Sequence, residues 1–126
     1  MSRNHFLFFY MGGDDPRILD LPMILNLPPA PNQGSKERTD AFGKKIKACG
    51  VLLAPDLADS GEANKRLHDW LDSHKDVIQS FDVPYKWIRV LSRTDKEIGF
   101  SASPSLMRKL IDLGLTLEVL VVTGEQ

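Results

Sequence analysis

The chain has 126 residues, enough for one domain with a hydrophobic core that requires neither a disulfide nor a metal ion. Its 16 Lys and Arg residues nearly balance its 17 Asp and Glu residues, which argues against a dedicated nucleic-acid-binding protein. The single cysteine, Cys49, excludes an internal disulfide and fits a reducing cytoplasm, and no apolar run is long enough to span a bilayer. We therefore expect a cytoplasmic protein without membrane contact.

The chain is predicted to begin with a strand and a short, broken helix. Phe6–Met11 is a dense β-prone run, and the glycines and aspartates of Gly12–Asp15 are typical of the turn that ends such a run. A broken helix is expected around residues 16–26, because Pro22 is tolerated only in the first turn of a helix.

A long surface loop is expected next. Asn32–Lys47 is polar, punctuated by glycine and without clear periodicity, which predicts a flexible loop over about residues 32–48. A short apolar run at Val51–Ala54 then predicts the second strand.

The longest periodic segment predicts the main helix. Asp59-Ser60-Gly61-Glu62 has the spacing of a capping box, and the helix is expected to run from there to about Phe81. An apolar stripe with three- and four-residue spacing should pack on the sheet, with Trp70 buried. The members of the stripe are Ala63, Leu67, Trp70, Leu71, His74, Val77, Ile78 and Phe81.

A β-hairpin and a strand–helix unit are predicted in the last third of the chain. Tyr85–Leu91 and Ile98–Ala102 flank a polar turn and are interpreted as the two arms of the hairpin. Ser103 is a suitable N-cap for a helix that Gly114 should end. Leu115–Val122, rich in aliphatic residues, predicts a final strand that is buried on both sides.

Together these elements predict one α+β domain over residues 1–126. We expect a mainly antiparallel sheet of four or five strands with two or three helices packed on one face. No linker separates two hydrophobic cores, and the sequence contains no internal repeat.

Three motifs carry a resemblance to a known family. They are Asp14-Asp15-Pro16 after the first strand, the Leu-His-x-Trp-Leu pattern of Leu67–Leu71, and the segment Gly99–Leu117 with its Ser-Pro helix start and Gly-Leu-x-Leu ending. On these residues the chain resembles the bacterial domain-of-unknown-function family numbered 4279. Families of this size and composition often occur beside secreted polymorphic toxins, so the resemblance implies a small immunity protein. The motifs consist of caps and core residues and therefore carry architecture rather than chemistry.

The candidate residues for catalysis or metal binding lack the required geometry. His68, Asp69, Asp72 and His74 are close in sequence, but His74 lies on the apolar stripe, well around the helix from His68. Cys49 has no histidine near it in sequence to act as a base, and no Gly-x-Ser-x-Gly elbow of a hydrolase is present. We expect no catalytic, cofactor or metal site, and therefore no enzyme.

The polar face of the main helix is the predicted partner-binding site. It carries Glu62, Asp69, Asp72 and Asp76, and the last two are like charges one helical turn apart near a helix end where acidic groups oppose the dipole. Helix stability does not explain this arrangement, whereas a basic partner does, because an acidic patch steers a cationic protein toward it.

The preferred function is accordingly a non-enzymatic protein-binding module. Its most concrete form is an immunity protein that neutralises a cognate bacterial toxin with a basic domain. The alternative is a small-ligand or nucleotide-binding regulatory domain that uses a pocket between the sheet and the loop at residues 32–48.

Overall fold

The fold is that of an α+β domain built on one mixed, mostly antiparallel sheet. A computed structural model of the chain describes residues 4–31, 36–94 and 100–123. The strands within these ranges are β1 (Asn4–Gly13), β2 (Lys36–Thr39), β3 (Lys45–Leu57), β4 (Tyr85–Thr94) and β5 (Thr116–Thr123). The helices are a 3-10 helix (Pro16–Asp20), α1 (Leu21–Leu25), α2 (Ser60–Gln79) and α3 (Pro104–Asp112). The predicted fold class is confirmed.

The five strands lie in the order β2-β3-β1-β4-β5, so that β1 is central. All neighbouring strands are antiparallel except β4 and β5, which are parallel and are connected through α3. None of the helices in the described ranges is both long and apolar enough to cross a membrane.

The helices cover one face of the sheet, which we call the inner face. Leu7, Phe9 and Met11 of β1 join a core that contains Leu67 and Leu71 of α2. The core includes Ile18, Leu21, Leu106 and Leu110, so the 3-10 helix, α1 and α3 contribute to the same face. It also holds a polar pair, in which His5 Nδ1 lies 2.8 Å from Ser92 Oγ and both residues are fully buried.

The predicted helix caps are present. Asp59 accepts a hydrogen bond from the Glu62 backbone N–H at 2.8 Å, while the Glu62 carboxylate accepts one from the Ala58 N–H at 3.0 Å. Ser103 caps α3 by accepting from the Leu106 N–H at 3.1 Å. Gly114, at φ +69°, occupies the left-handed region that permits the chain to leave α3.

The prediction of a loop over residues 32–48 is wrong for most of that segment. β2 pairs with Lys45–Ala48 of β3 to form a hairpin, and β3 has 13 residues rather than the four of Val51–Ala54. Residues 32–35 lie outside the described ranges. The prediction failed because all four residues of β2 are exposed, and a strand without a buried face has no apolar alternation to reveal it.

The hairpin predicted between Tyr85 and Ala102 does not form in the described part of the chain. Residues 100–102 are in no strand, and Ile98 and Gly99 lie outside the described ranges. The backbone of Ser101 is held by α2 instead, since its N–H donates to Ser60 Oγ at 2.9 Å and its carbonyl accepts from Asn64 Nδ2 at 2.7 Å. Within the described residues, Phe100 is therefore buried in the core without belonging to a strand.

The last strand is not buried on both sides, contrary to the prediction. β5 is at the edge of the sheet, and the exposed fractions of Val119, Leu120, Val121 and Val122 are 37%, 40%, 46% and 48%. Its aliphatic composition resembles that of an interior strand, but the hairpin arm that was expected to provide a further strand is absent from the described sheet.

Candidate binding surface

The acidic side chains predicted to bind a partner lie on the exposed side of α2, where most of them have partners within the chain. Asp69 forms an ion pair with Lys65 at 2.9 Å, and Asp72 is contacted by Lys109 of α3 and by His68 Nδ1 at 3.4 Å. The hydrogen bond from Lys109 lowers the pKa of the Asp72 carboxyl group. No ion pair involving Asp76 is present within the described ranges.

Internal contacts thus account for three of the four predicted binding residues. Glu62 caps α2, Asp69 pairs one turn back along the helix, and Asp72 ties α2 to α3. The inference that stability leaves these carboxylates unexplained is therefore weakened. Asp69 and Asp72 nevertheless keep 63% and 50% of their side chains exposed, so this face stays a predicted binding surface.

The residues considered for a metal site do not converge. Among the residues that the structure describes, no group of three His, Cys, Asp or Glu side chains is placed to hold a metal ion. His68 approaches Asp72, but His74 stacks on Trp70 with ring centroids 4.4 Å apart, and its Nδ1 lies 2.9 Å from the Trp70 carbonyl oxygen. Cys49 is buried in the core on β3.

A second apolar cluster lies on the opposite side of the sheet, which we call the outer face. No described helix covers it, because the buried helical residues all belong to the core of the inner face. Among the described loop residues, the segment at residues 28–31 reaches this cluster: it pairs with the edge of β3, and Ala30 and Pro31 lie beside the aromatic side chains. The outer cluster comprises Phe6, Phe8, Tyr10, Ala30, Leu52, Trp87 and Leu91.

Two arginines of β4 organise the aromatic side chains of the outer face. Tyr10 stacks on Trp87 with centroids 5.0 Å apart and an interplanar angle of 13°. Arg89 lies 4.7 Å from the centre of the Tyr10 ring, and its Nη1 donates to the Tyr10 hydroxyl at 3.2 Å. Arg93 lies 5.6 Å from the centre of the Phe6 ring. The arginines are thus held against aromatic rings by cation–π contacts.

An ion pair fixes the central arginine. The Nε atom of Arg89 donates to a Glu118 carboxylate oxygen on β5 at 2.6 Å. Burial raises the pKa of the Tyr10 hydroxyl, and the positive charge of Arg89 opposes that shift. The centre of the outer face is therefore held in place by internal contacts and is partly desolvated.

Among the described residues, Arg89 lines three cavities that open on the outer face. The largest, about 450 Å³, runs between Tyr85, Trp87 and the start of β5. A second, about 370 Å³, lies between Phe6, Arg93 and Leu120, and a third of about 160 Å³ lies beside Arg38. Arg89 lines all three, which makes them parts of one surface.

Positive charge prevails around these cavities. The charged side chains of the outer face that line them are Arg38, Arg89, Arg93 and Glu118, whereas the Nζ of Lys86 donates to the Ile78 carbonyl of α2 at 2.9 Å. Glu118 is the single carboxylate of this set, and it is already paired with Arg89. The surface therefore suits a partner group that presents negative charge beside an apolar or planar group.

The outer face was missed in the sequence because its residues are distributed over all five strands. Phe6, Phe8 and Tyr10 belong to a run in which every second residue faces the core, so the whole run was interpreted simply as a strand. The available signal was the alternation of Trp87, Arg89 and Arg93 along β4, an aromatic and cationic face on a strand whose other face is aliphatic.

Comparison with known proteins gives one partial similarity and no family. No family model matches the chain, so the resemblance to the family numbered 4279 stays a prediction. The chain is 30% identical over 122 residues to the DNA polymerase IV of Caulobacter vibrioides, a match that covers 84% of the chain. The chain spans only 30% of the length of that polymerase.

Proposed function

We propose that the chain is a non-enzymatic module that binds a protein partner through the outer face of its sheet. The observation that carries this proposal is the apolar cluster that no described helix covers, in which Phe6 and Trp87 stay partly exposed around Arg89 and the buried Tyr10. Contiguous exposed apolar patches are rare on proteins that have no partner. Tyrosine, tryptophan and arginine are also the residues that most often dominate binding energy at protein interfaces.

The rigidity of the surface supports binding rather than chance exposure. Arg89 is held by both Glu118 and Tyr10, so little side-chain entropy remains to be lost when a partner contacts it. The partner would place carboxylates beside Arg38 and Arg93 and an apolar side chain in the cavity near Phe6.

The most specific form of the proposal is an immunity protein that neutralises a bacterial toxin in the cytoplasm. The family resemblance supports this form, and a buried, reduced Cys49 is compatible with that compartment. On this account the toxin contacts the outer face through an acidic surface, whereas the acidic face of α2 would select a basic toxin. The two surfaces therefore predict partners of opposite charge.

Affinity capture with three matched baits tests the proposal. The first bait is the wild-type chain, the second carries Trp87→Ala and Arg93→Glu on the outer face, and the third carries Asp72→Lys and Asp76→Lys on α2. We expect a protein captured by the wild type to be lost from the second bait and retained by the third, as measured by quantitative mass spectrometry. Circular dichroism provides the control that each bait is folded.

Two results would contradict the outer-face proposal. If the second bait retains the captured protein and the third bait loses it, the acidic face of α2 is the binding surface. Equal capture by all three baits would show that neither surface binds the captured protein.

A nucleotide-binding function is the second candidate, favoured by the similarity to DNA polymerase IV. A DNA polymerase acts on nucleotides, and the cavity of about 450 Å³ offers the Trp87 ring for stacking with Arg89 beside it. In a Trp70→Phe variant the remaining tryptophan fluorescence reports on Trp87 alone. Quenching by nucleoside triphosphates or short single-stranded DNA supports this candidate, and unchanged fluorescence at millimolar nucleotide excludes it.

A further inference from the structure

The two edges of the sheet differ in how they are protected against pairing. β2, at one edge, has the sequence Lys-Glu-Arg-Thr, and all four residues are exposed. Charged side chains on an edge strand are a common protection against association. β5, at the other edge, contains neither lysine, arginine nor proline, and Glu118 is its only charged residue.

The outer edge of β5 has no backbone partner within the described ranges. Its one neighbour in the described sheet is β4, and no further backbone hydrogen bond joins residues 116–123 to another described residue. The side chains along it are apolar on both faces of the sheet, with Val119 and Val121 on the inner face and Leu120 and Val122 on the outer face. An edge of this kind is a template for another strand.

The apolar surface continues from β5 onto α3. Met107 and Ile111, one helical turn apart, have exposed fractions of 41% and 72%. Lys109, on the opposite flank of α3, reaches Asp72 of α2. Met107 and Ile111 therefore lie on the flank turned away from α2, the side on which β5 forms the sheet edge.

We propose that β5 pairs antiparallel with β5 of a second copy of the chain, so that two sheets join across a two-fold axis. A two-fold contact requires a patch that is complementary to itself, and β5 meets this condition. An axis at Leu120 places that residue opposite its own copy and Val119 opposite Val121. Glu118 then lies opposite Val122, so no like charges meet.

The same axis brings together the exposed flanks of the two α3 helices. Met107 and Ile111 of both copies would be covered on the inner side of the joined sheet. On the outer side, Leu120 lines the cavity of about 370 Å³, so the second copy would extend the proposed binding surface. The pairing does not depend on the function proposed for that surface.

Sedimentation velocity with three variants tests the proposal. We expect the wild type to sediment as a dimer at micromolar concentration, with twice the 14.1 kDa mass of one chain. Val121→Lys on the strand and Ile111→Lys on α3 should each give a monomer with an unchanged circular dichroism spectrum. Met23→Lys is the matched control, because Met23 is 75% exposed and lies on α1, away from this edge. It should remain a dimer.

Cysteine cross-linking separates edge pairing from other dimers. Directly opposed residues of antiparallel strands lie close enough for a disulfide, and the native Cys49 is buried. We expect Leu120→Cys to form a disulfide-linked dimer on mild oxidation, or Val121→Cys if the axis is one residue further along. A wild-type monomer at all accessible concentrations would overturn the proposal. A dimer that persists in both lysine variants would also overturn it. The same holds if the wild type is a dimer but neither cysteine variant forms a disulfide-linked dimer.

Discussion

The two tryptophans lie on opposite faces of the same sheet, and their surroundings differ in what they do for the protein. Trp70 of α2 packs against Phe9 at 5.4 Å between ring centroids, within the core that the helices close. Trp87 of β4 stacks on Tyr10 across the outer face, where no described helix follows. Helices cover the inner cluster, whereas Phe6 and Trp87 of the outer cluster stay partly exposed.

This difference shows that an aromatic side chain in a sheet does not always contribute strongly to the free energy of folding. Both faces are apolar, but the central residues of the inner face are fully buried while Phe6 and Trp87 remain partly exposed. A side chain contributes to folding in proportion to the apolar area that it removes from water. Substitutions on the two faces should therefore separate folding from binding.

Trp70→Ala should have the largest effect on stability. Trp70 is half-buried rather than fully buried as predicted, but it contacts Phe9 and His74 and covers the core. We expect a loss of about 3 kcal/mol in the free energy of unfolding, the low end for a tryptophan removed from a core. Urea denaturation measures this loss, and an unchanged midpoint would contradict the proposed role of the inner face.

Trp87→Ala, the matched substitution on the outer face, should cost less. Stacking on Tyr10 covers one side of the ring, which leads us to expect a loss of about 1–2 kcal/mol. The same urea measurement applies. A loss equal to that of Trp70→Ala would erase the distinction between the two faces, because the outer cluster would then be a second core.

The inner face was largely predictable from the sequence, since helix caps and periodic burial are local signals. Asp59, Ser103 and Gly114 marked the ends of α2 and α3 correctly. The stripe that begins at Ala63 and Leu67 identified the buried side of α2. What the sequence did not reveal was pairing between distant strands, such as the parallel contact of β4 with β5.

The binding surface was less predictable because its residues meet only after the strands pair. Tyr10 and Trp87 are adjacent through the register of β1 with β4, and Glu118 reaches Arg89 through the register of β4 with β5. The acidic residues of α2, in contrast, are close in sequence and were noticed for that reason. Lys109, the partner of Asp72, comes from another helix, which helical periodicity does not reveal.

Lys109→Ala should have the smallest effect on the free energy of unfolding. Lys109 belongs to α3, in the helical layer that covers the inner face. The folded state lowers the pKa of Asp72 from its ordinary value of 3.8 through the hydrogen bond from Lys109. This contact therefore contributes stability above the pKa of the unfolded state, and the contribution is lost as the pH falls through the folded-state value.

The expected result is a difference between wild type and Lys109→Ala that is fully present at pH 7 and smaller at pH 3, below the ordinary pKa of the carboxyl group. The Asp72 side chain is 50% exposed and that of Lys109 is 24% exposed, so the difference should be small and should also shrink with added salt. Urea denaturation at the two pH values measures it. A difference that persists unchanged at low pH would show that Lys109 acts through packing rather than through Asp72.

The most direct test of the outer face is the association rate of the captured partner with two charge-reversed variants. Exposed interfacial charges act mainly on association and are screened by salt. We predict that Arg93→Glu slows association by about tenfold at low ionic strength. This difference should decrease at high ionic strength, while Asp76→Lys associates at the wild-type rate. Slow association of Asp76→Lys together with a wild-type rate for Arg93→Glu would contradict the account and would place the partner on α2.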